Sequence, residues 1–424
     1  MSTDYLDFDI AIGKGPTGYL TRVVSSPAGC AEVPFVLPFE PTELAQFMVA
    51  VGPPRVASRR LVPVATRLPD VRDYGTRLGA ALLSGPVGDT FRASLAARGT
   101  ANLRVRLNLD ETPELRPIPW EYLYDQPLAR FLTLSSETPV VRLVDAVERP
   151  PPVTVEAPLR ILVMIASPSD LPSLAVDREE QLLRATTADL VKRHQLELTV
   201  LRDAEASLSA LQLALLEPYH VFHFIGHGGF DTEAQHGVLA LERPDGTAHR
   251  VDGDRLGTLL HDASLLQLAV LNACEGARSS GHDAFSGVAQ ALVRQGLPAV
   301  VGMQTEISDR AALVFTHELY AYLTRGLPID AAICEVRKAM AISDEAAEWG
   351  TAVLLRSGAE QPFTFPLATT APESAPKPEE RWTALYEGAQ GALAAQSPDT
   401  ALPMLEQLAV EHPDYEDVTQ LLER

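Results

Sequence analysis

The chain has 424 residues, enough for two or three domains, and 46% hydrophobic beside 21% charged residues is the balance of a globular protein with a large core. A formal net charge of −21 excludes nucleic acid and an anionic membrane as main partners, because both require a basic surface. Cys30, Cys274 and Cys334 are too few and too scattered for a disulfide framework, which fits a reducing cytoplasm and leaves a thiol free to react.

The start, MSTDYLDFDI, has acids and no basic segment, so it does not read as a signal peptide. No apolar run approaches the roughly twenty residues needed to cross a bilayer. YLDFDIAIG and TGYLTRVVSS flank a Gly/Pro turn and predict a hairpin. Gly13-Lys14-Gly15 within that turn lacks the spacing and the following helix of a phosphate loop. PTELAQFMVAVG, DYGTRLGAALLSG and GDTFRASLAARG read as helices, and NLRVRLNLD alternates as a strand. Prolines 113, 117 and 119 then break the chain before Trp120, and the expectation for Trp120 and Tyr122 is burial in the core.

Residues 149–158 are rich in proline and valine and read as a junction after an N-terminal α+β unit over 1–150. From 155 to 366 strands and helices alternate: LRILVMIAS, a helix to His194, LELTVLRD, a short helix, VFHFIG, VLALE, a helix near Leu256, LLQLAVLN, FSGVAQALVRQG, PAVVGMQTE, two helices and TAVLLRS. This spacing predicts an α/β fold with a parallel-rich sheet covered by helices on both faces. Residues 367–380 have linker composition. Beyond them, 381–424 form a small helical segment whose Trp382, Leu385, Tyr386 and Ala389 fall on one face. It resembles one tetratricopeptide-type unit plus part of another, which cannot bury its apolar face alone, and its acidity suits a basic or apolar protein partner.

Chemistry concentrates between His220 and Ala277. HVFHFIGHGGFD and LLQLAVLNACEGA each run from a strand into small residues, with His227 and Cys274 at the two ends. If the strands are parallel neighbours, imidazole and thiol share the carboxyl rim, the usual address of reactive groups in such sheets. His227 would be the general base and Cys274 the nucleophile, with the amides of Gly228 and Cys274 facing a developing oxyanion. His220 and His223 fall on opposite strand faces, so no metal site is expected, and no cofactor is implied. Cys334 lies on an apolar helix face and reads as core.

The segment Asn272-Ala273-Cys274-Glu275-Gly276, with a histidine about fifty residues upstream, is similar to the caspase signature. Together with IPWEYLYD (118–125), FLTLSSETPVVR, the run from Ala291 to Met340 and WGTAVLL, it resembles the CHAT family of caspase-like proteins, kin to caspases, separases and gingipains. The resemblance covers most of residues 75–366 and implies a caspase-like fold. It also implies cysteine endopeptidase activity on a protein substrate, through His227 and Cys274. Relatives that cut after basic residues carry an aspartate where Asn272 stands, and caspases carry an arginine where Glu275 stands. The resemblance therefore implies a neutral residue before the cleaved bond. Glu275, Met303, Gln304 and Thr305 are the candidate substrate-binding residues, although many relatives have a tryptophan near Thr305. Some relatives are proteases of bacterial defence, switched on by a partner. The competing expectation is a non-catalytic caspase-like scaffold for protein–protein interaction.

Overall fold

The computed structural model describes residues 4–16, 18–52, 70–147, 150–174, 176–231, 233, 236–273, 284–305, 307–343, 347–358 and 361–365, then 385–386, 388–390, 401–405, 408 and 418. Strands β1 (Tyr5–Gly15), β2 (Gly18–Ser25) and β3 (Ala31–Phe35) form an antiparallel meander. Gly18 enters β2 at φ +139°, a backbone state that side chains rarely adopt. Phe8, Ile10 and Ile12 alternate into the core as period two requires. Helices α1 (Pro41–Val51), α2 (Val71–Leu82) and α3 (Gly85–Ala97) follow. The Asp70 carboxylate caps α2 by accepting the Asp73 N–H at 2.9 Å.

Next come β4 (Asn102–Asn108), the two-residue strands β5 (Tyr124–Asp125) and β6 (Arg130–Phe131), β7 (Val140–Leu143) and β8 (Val153–Thr154). The second half comprises β9 (Leu159–Ile165), α4 (Val176–Lys192), β10 (Leu196–Arg202), α5 (Leu208–Ala214), β11 (Val221–Gly226), β12 (Gly228–Asp231), β13 (His236–Glu242) and β14 (Ala248–Asp252). It continues with α6 (Gly253–His261), β15 (Leu268–Ala273), α7 (Ala284–Arg294), β16 (Ala299–Met303), α8 (Asp309–Thr324), α9 (Ile329–Ser343), β17 (Ala352–Arg356) and β18 (Phe363–Thr364).

Eleven strands make one sheet in the order β10-β9-β11-β15-β16-β17-β7-β4-β1-β2-β3. It is mostly parallel and helices cover it, as the alternation predicts. One face packs Ile161, Ile165, Val221, Val270 and Val301 with Phe315 and Leu319 of α8 and Val336 of α9. The other packs Leu162, Phe222, Phe224, Leu271 and Val300 with Leu256 of α6 and Leu292 of α7. Each buried aliphatic or aromatic side chain contributes about 1.5–3 kcal/mol by leaving water.

The structure departs from the sequence reading at several places. β17 runs antiparallel to β16, not parallel. Two helices, α8 and α9, separate these strands, so the chain returns to the rim it left before re-entering the sheet. The strand β14 was also not anticipated. It pairs with β13 across Pro244-Asp245-Gly246-Thr247, with Gly246 at φ +78°. Its residues His249, Arg250 and Asp252 hide the apolar alternation.

Residues Met1–Phe365 are one compact unit and Pro366–Arg424 a second. Across the proline-rich stretch at 149–158 the packing is continuous. β17 pairs with β7, the N-terminal and C-terminal strands share one apolar core, and β8 pairs with β18. A buried ionic cluster joins the same segments: Asp330 Oδ2 accepts from Arg104 (2.8 Å), Arg356 (2.5 Å) and Gln361 (2.7 Å), and Arg104 also holds Asp7 at 2.7 Å. In the second unit, helical residues Ala389, Ala401, Leu405, Leu408 and Val418 form an apolar cluster of their own, flanked by Tyr386 and Met404. Trp382 lies outside the described residues.

Candidate active site

β11 and β15 are parallel neighbours, in register from Val221↔Leu268 to Gly226↔Ala273. The next residue along the first chain segment is His227, and along the second Cys274. Cys274 and Glu275 themselves lie outside the described residues.

His227 is 3% exposed. Its Nε2 lies 2.7 Å from the carbonyl oxygen of Pro172, in the loop between β9 and α4. A carbonyl can only accept, so Nε2 carries the hydrogen and the lone pair of the neutral ring resides on Nδ1. Sequence reasoning missed Pro172. A backbone carbonyl leaves no side-chain signature, and the only available signal was the run of small and polar residues just past a central strand.

The backbone around His227 changes sheets. β11 ends in the large sheet, and β12 begins a three-stranded antiparallel sheet, β12-β13-β14, as its edge strand. Ala240 N–H donates to the His227 carbonyl at 2.9 Å. The antiparallel alternation then turns the N–H of Gly228 away from β13, toward the open edge. A Cβ on Gly229 would meet Val238 at an ordinary 3.6 Å. A Cβ on Gly226 would come within 2.7 Å of the Phe224 ring and 3.1 Å of the Ala166 carbonyl, so the packing requirement for glycine falls one residue before the histidine.

Of the substrate-binding candidates, Met303 ends β16 with its side chain 1% exposed inside the apolar core. Gln304 N–H donates to Thr351 O at 2.9 Å, and its side-chain amide reaches Arg116 O at 3.4 Å. Thr305 is buried and its hydroxyl has no partner among the described residues. The same holds for Oδ1 of Asn272, which pairs with Ile225 across the strands.

The remaining histidines of the motif serve the scaffold. His220 Nδ1 accepts the Arg160 N–H at 3.0 Å. His223 Nδ1 lies 2.8 Å from the Tyr320 hydroxyl, and burial pushes its pKa down to about 4. Burial pushes the Cys334 thiol up to about 12, an inert core cysteine, while Cys30 is exposed. Trp120 and Tyr122 are fully buried, as expected. Among the described residues no cluster of His, Cys, Asp and Glu could hold a metal, and no helix is long and apolar enough to cross a membrane.

A helix-covered, mostly parallel sheet with an oriented histidine just past a central strand defines an α/β protein whose candidate chemistry lies at the carboxyl rim. The CHAT domain family matches residues 72–386, and the chain belongs to that family. Among solved structures it is similar to separase in the separase–securin complex of Saccharomyces cerevisiae: 15% identity over 66% of this chain and 17% of that one, TM-score 0.38. It is similar to the Arg specific cysteine proteinase gingipain R of Porphyromonas gingivalis, with 11% identity over 68% and 74% of the two chains and TM-score 0.39. The Drosophila initiator caspase Dronc is 10% identical over 54% of this chain and 96% of its own, TM-score 0.33. No curated protein matches the sequence.

Proposed function

We propose that the protein is a caspase-like cysteine endopeptidase acting on a specific protein substrate. The observation that carries the reading is the parallel register of β11 and β15 up to Gly226↔Ala273, the residues that precede His227 and Cys274. In the proposed reaction His227 takes the thiol proton on Nδ1 while Nε2–H stays bonded to Pro172 O. The Cys274 thiolate attacks the scissile carbonyl carbon. The amides of Gly228 and Cys274 receive the oxyanion, and the imidazolium then protonates the leaving amine. Water hydrolyses the acyl-enzyme and regenerates the thiol. Asn272 and Glu275 are both unsuited to a basic or an acidic residue before the bond in the ways relatives use, which favours a neutral one. Thr305 and Gln304 line its pocket in this reading, with Met303 as apolar support beneath.

Residues 381–424 are proposed to recruit an activating or substrate protein of basic or apolar surface, through a tetratricopeptide-like fold. A cytoplasmic setting and a role in bacterial defence complete the proposal. The test is a comparison of new protein N-termini in cells carrying wild type or Cys274→Ala, alongside alkylation of Cys274 across pH in a Cys30→Ser background. The proposal predicts termini that require Cys274 and an alkylation rate that falls in His227→Asn. Identical termini in both strains together with an ordinary thiol pH profile would sink it.

A further inference from the structure

His227 is buried, but the segment that orients it lies on the surface. Asp170 and Pro172 are exposed residues of the loop 167–174. A surface loop holds a carbonyl against a buried ring only if something holds the loop, and here that is the β13–β14 hairpin. Glu242, the last residue of β13, accepts the Ser167 N–H on Oε1 at 2.8 Å. At the hairpin turn the Gly246 carbonyl accepts both the Ser169 N–H (2.8 Å) and the Ser169 hydroxyl (3.0 Å). At the start of β14 the Ala248 N–H donates to Asp170 Oδ1 at 2.7 Å. Within the loop, Leu174 N–H donates to Ser167 Oγ at 2.9 Å, closing the turn that contains Pro172. The hairpin also grips the histidine from below, since Ala240 of β13 donates to the His227 carbonyl. Main chain and ring of His227 are thus referenced to one small sheet.

We propose that Glu242 and Asp170 are positioning residues that clamp the loop 167–174, so that the Pro172 carbonyl keeps the hydrogen of His227 on Nε2 and its lone pair on Nδ1. The inference deepens the cysteine-protease reading and rests on it for its catalytic meaning. Glu242 is 7% exposed and Asp170 exposed, so they share little beyond the loop they hold. Loss of either removes one of the loop's ties to the hairpin and loosens the path that carries Pro172. The ring can then place its hydrogen on Nδ1, where it no longer accepts a thiol proton.

The full-length protein with Cys30→Ser is labelled with ¹⁵N-histidine, and the His227 signal is assigned by its loss in His227→Asn. Wild type shows the Nε2–H tautomer. Asp170→Ala and Glu242→Ala show a mixture, whereas Asp170→Asn and Glu242→Gln, which keep an accepting oxygen, retain the wild-type pattern. Iodoacetamide alkylation of Cys274 at pH 7 slows about tenfold in the alanine variants, the worth of one ordinary hydrogen bond, and recovers in the amides. Because Asp170 is exposed, its variants keep the fold even if the core is sensitive at Glu242. An unchanged His227 tautomer in Asp170→Ala overturns the clamp. A tautomer that shifts as expected beside a wild-type Cys274 inert to iodoacetamide supports the clamp and overturns the protease reading.

Discussion

Gly226 and Ala273 face each other as the last paired residues of two neighbouring parallel strands. Two chain segments therefore leave the sheet at the same height, and the residues that follow are a histidine and a cysteine. Cys274→Ser and His227→Asn are each expected to lower cleavage of a verified substrate by several powers of ten, since paired catalytic groups act as a unit. His227 is buried, so asparagine is the better probe of chemistry than alanine, which would leave a cavity. Cleavage at the wild-type rate in either variant would remove that residue from the mechanism.

Gly226 and Gly228 separate packing from the proposed catalysis. Gly228→Val is expected to cut turnover at least a hundredfold if its amide is the proposed oxyanion donor, with a small change in Tm. Gly226→Ala drives a methyl against Phe224 and the Ala166 carbonyl, and should cost about 1–3 kcal/mol in denaturant unfolding. The reverse pattern, a stable Gly226→Ala and a fully active Gly228→Val, would mean that the substrate does not pass over β12.

His223 makes stability depend on pH well below neutrality. Burial holds its pKa at about 4 against an ordinary 6.5. The unfolded chain takes up a proton there that the folded chain refuses. Stability from this group is full above pH 6.5 and falls on acidification through pH 4, by about 3 kcal/mol. His223→Gln leaves the Tyr320 hydroxyl an oxygen partner but cannot titrate. Its unfolding free energy should stay flatter between pH 6.5 and 4, which urea titrations at stepped pH will measure.

Asp330 adds a second acid limb. Burial alone would raise its pKa, but Arg356 and Arg104 override that and hold it at about 2, below the ordinary 3.8. Its contribution is present above pH 3.8 and disappears as pH falls through 2, about 2 kcal/mol in all. Asp330→Ala removes the carboxylate shared by two buried arginines, and a loss of about 3–5 kcal/mol is expected at pH 7. A loss below 1 kcal/mol at neutral pH would show that the cluster is electrostatically neutral to folding.

The second unit, Pro366–Arg424, has its own apolar cluster. A chain ending at Thr370 is expected to keep the wild-type rate of Cys274 alkylation and to lose cleavage of its native target, with short peptides still cut. Misfolding of the shortened chain, seen as lost cooperative unfolding, would instead mean that the first unit needs the tail to fold.

The sheet was legible because its strands are the apolar runs bounded by glycine, proline and helical patterns. The strand ends at Gly226 and Ala273 were legible for the same reason. Other things were not. The antiparallel turn of β17 depends on how two helices stack, which periodicity does not encode. The Asp330 cluster gathers Asp7, Arg104, Arg356 and Gln361 from distant parts of the chain, and single charged residues carry no mark of their partner. The Pro172 carbonyl is backbone, so its role depends on a loop path and not on a residue type. The steric demand for glycine at Gly226 was not legible either, because it depends on the Phe224 ring folding back under that residue.

β17 lies between β16 and β7 and hydrogen-bonds to both. Leu355 reaches a partner, Arg142, that left the ribosome roughly two hundred residues earlier, on the order of ten seconds or more of synthesis. Until then the Val140–Leu143 edge has no strand on that side, and such edges invite pairing with other chains. Completion of the sheet is thus a late, single event in the life of a nascent molecule. Growth temperature and translation speed should therefore govern how much of it reaches the folded state.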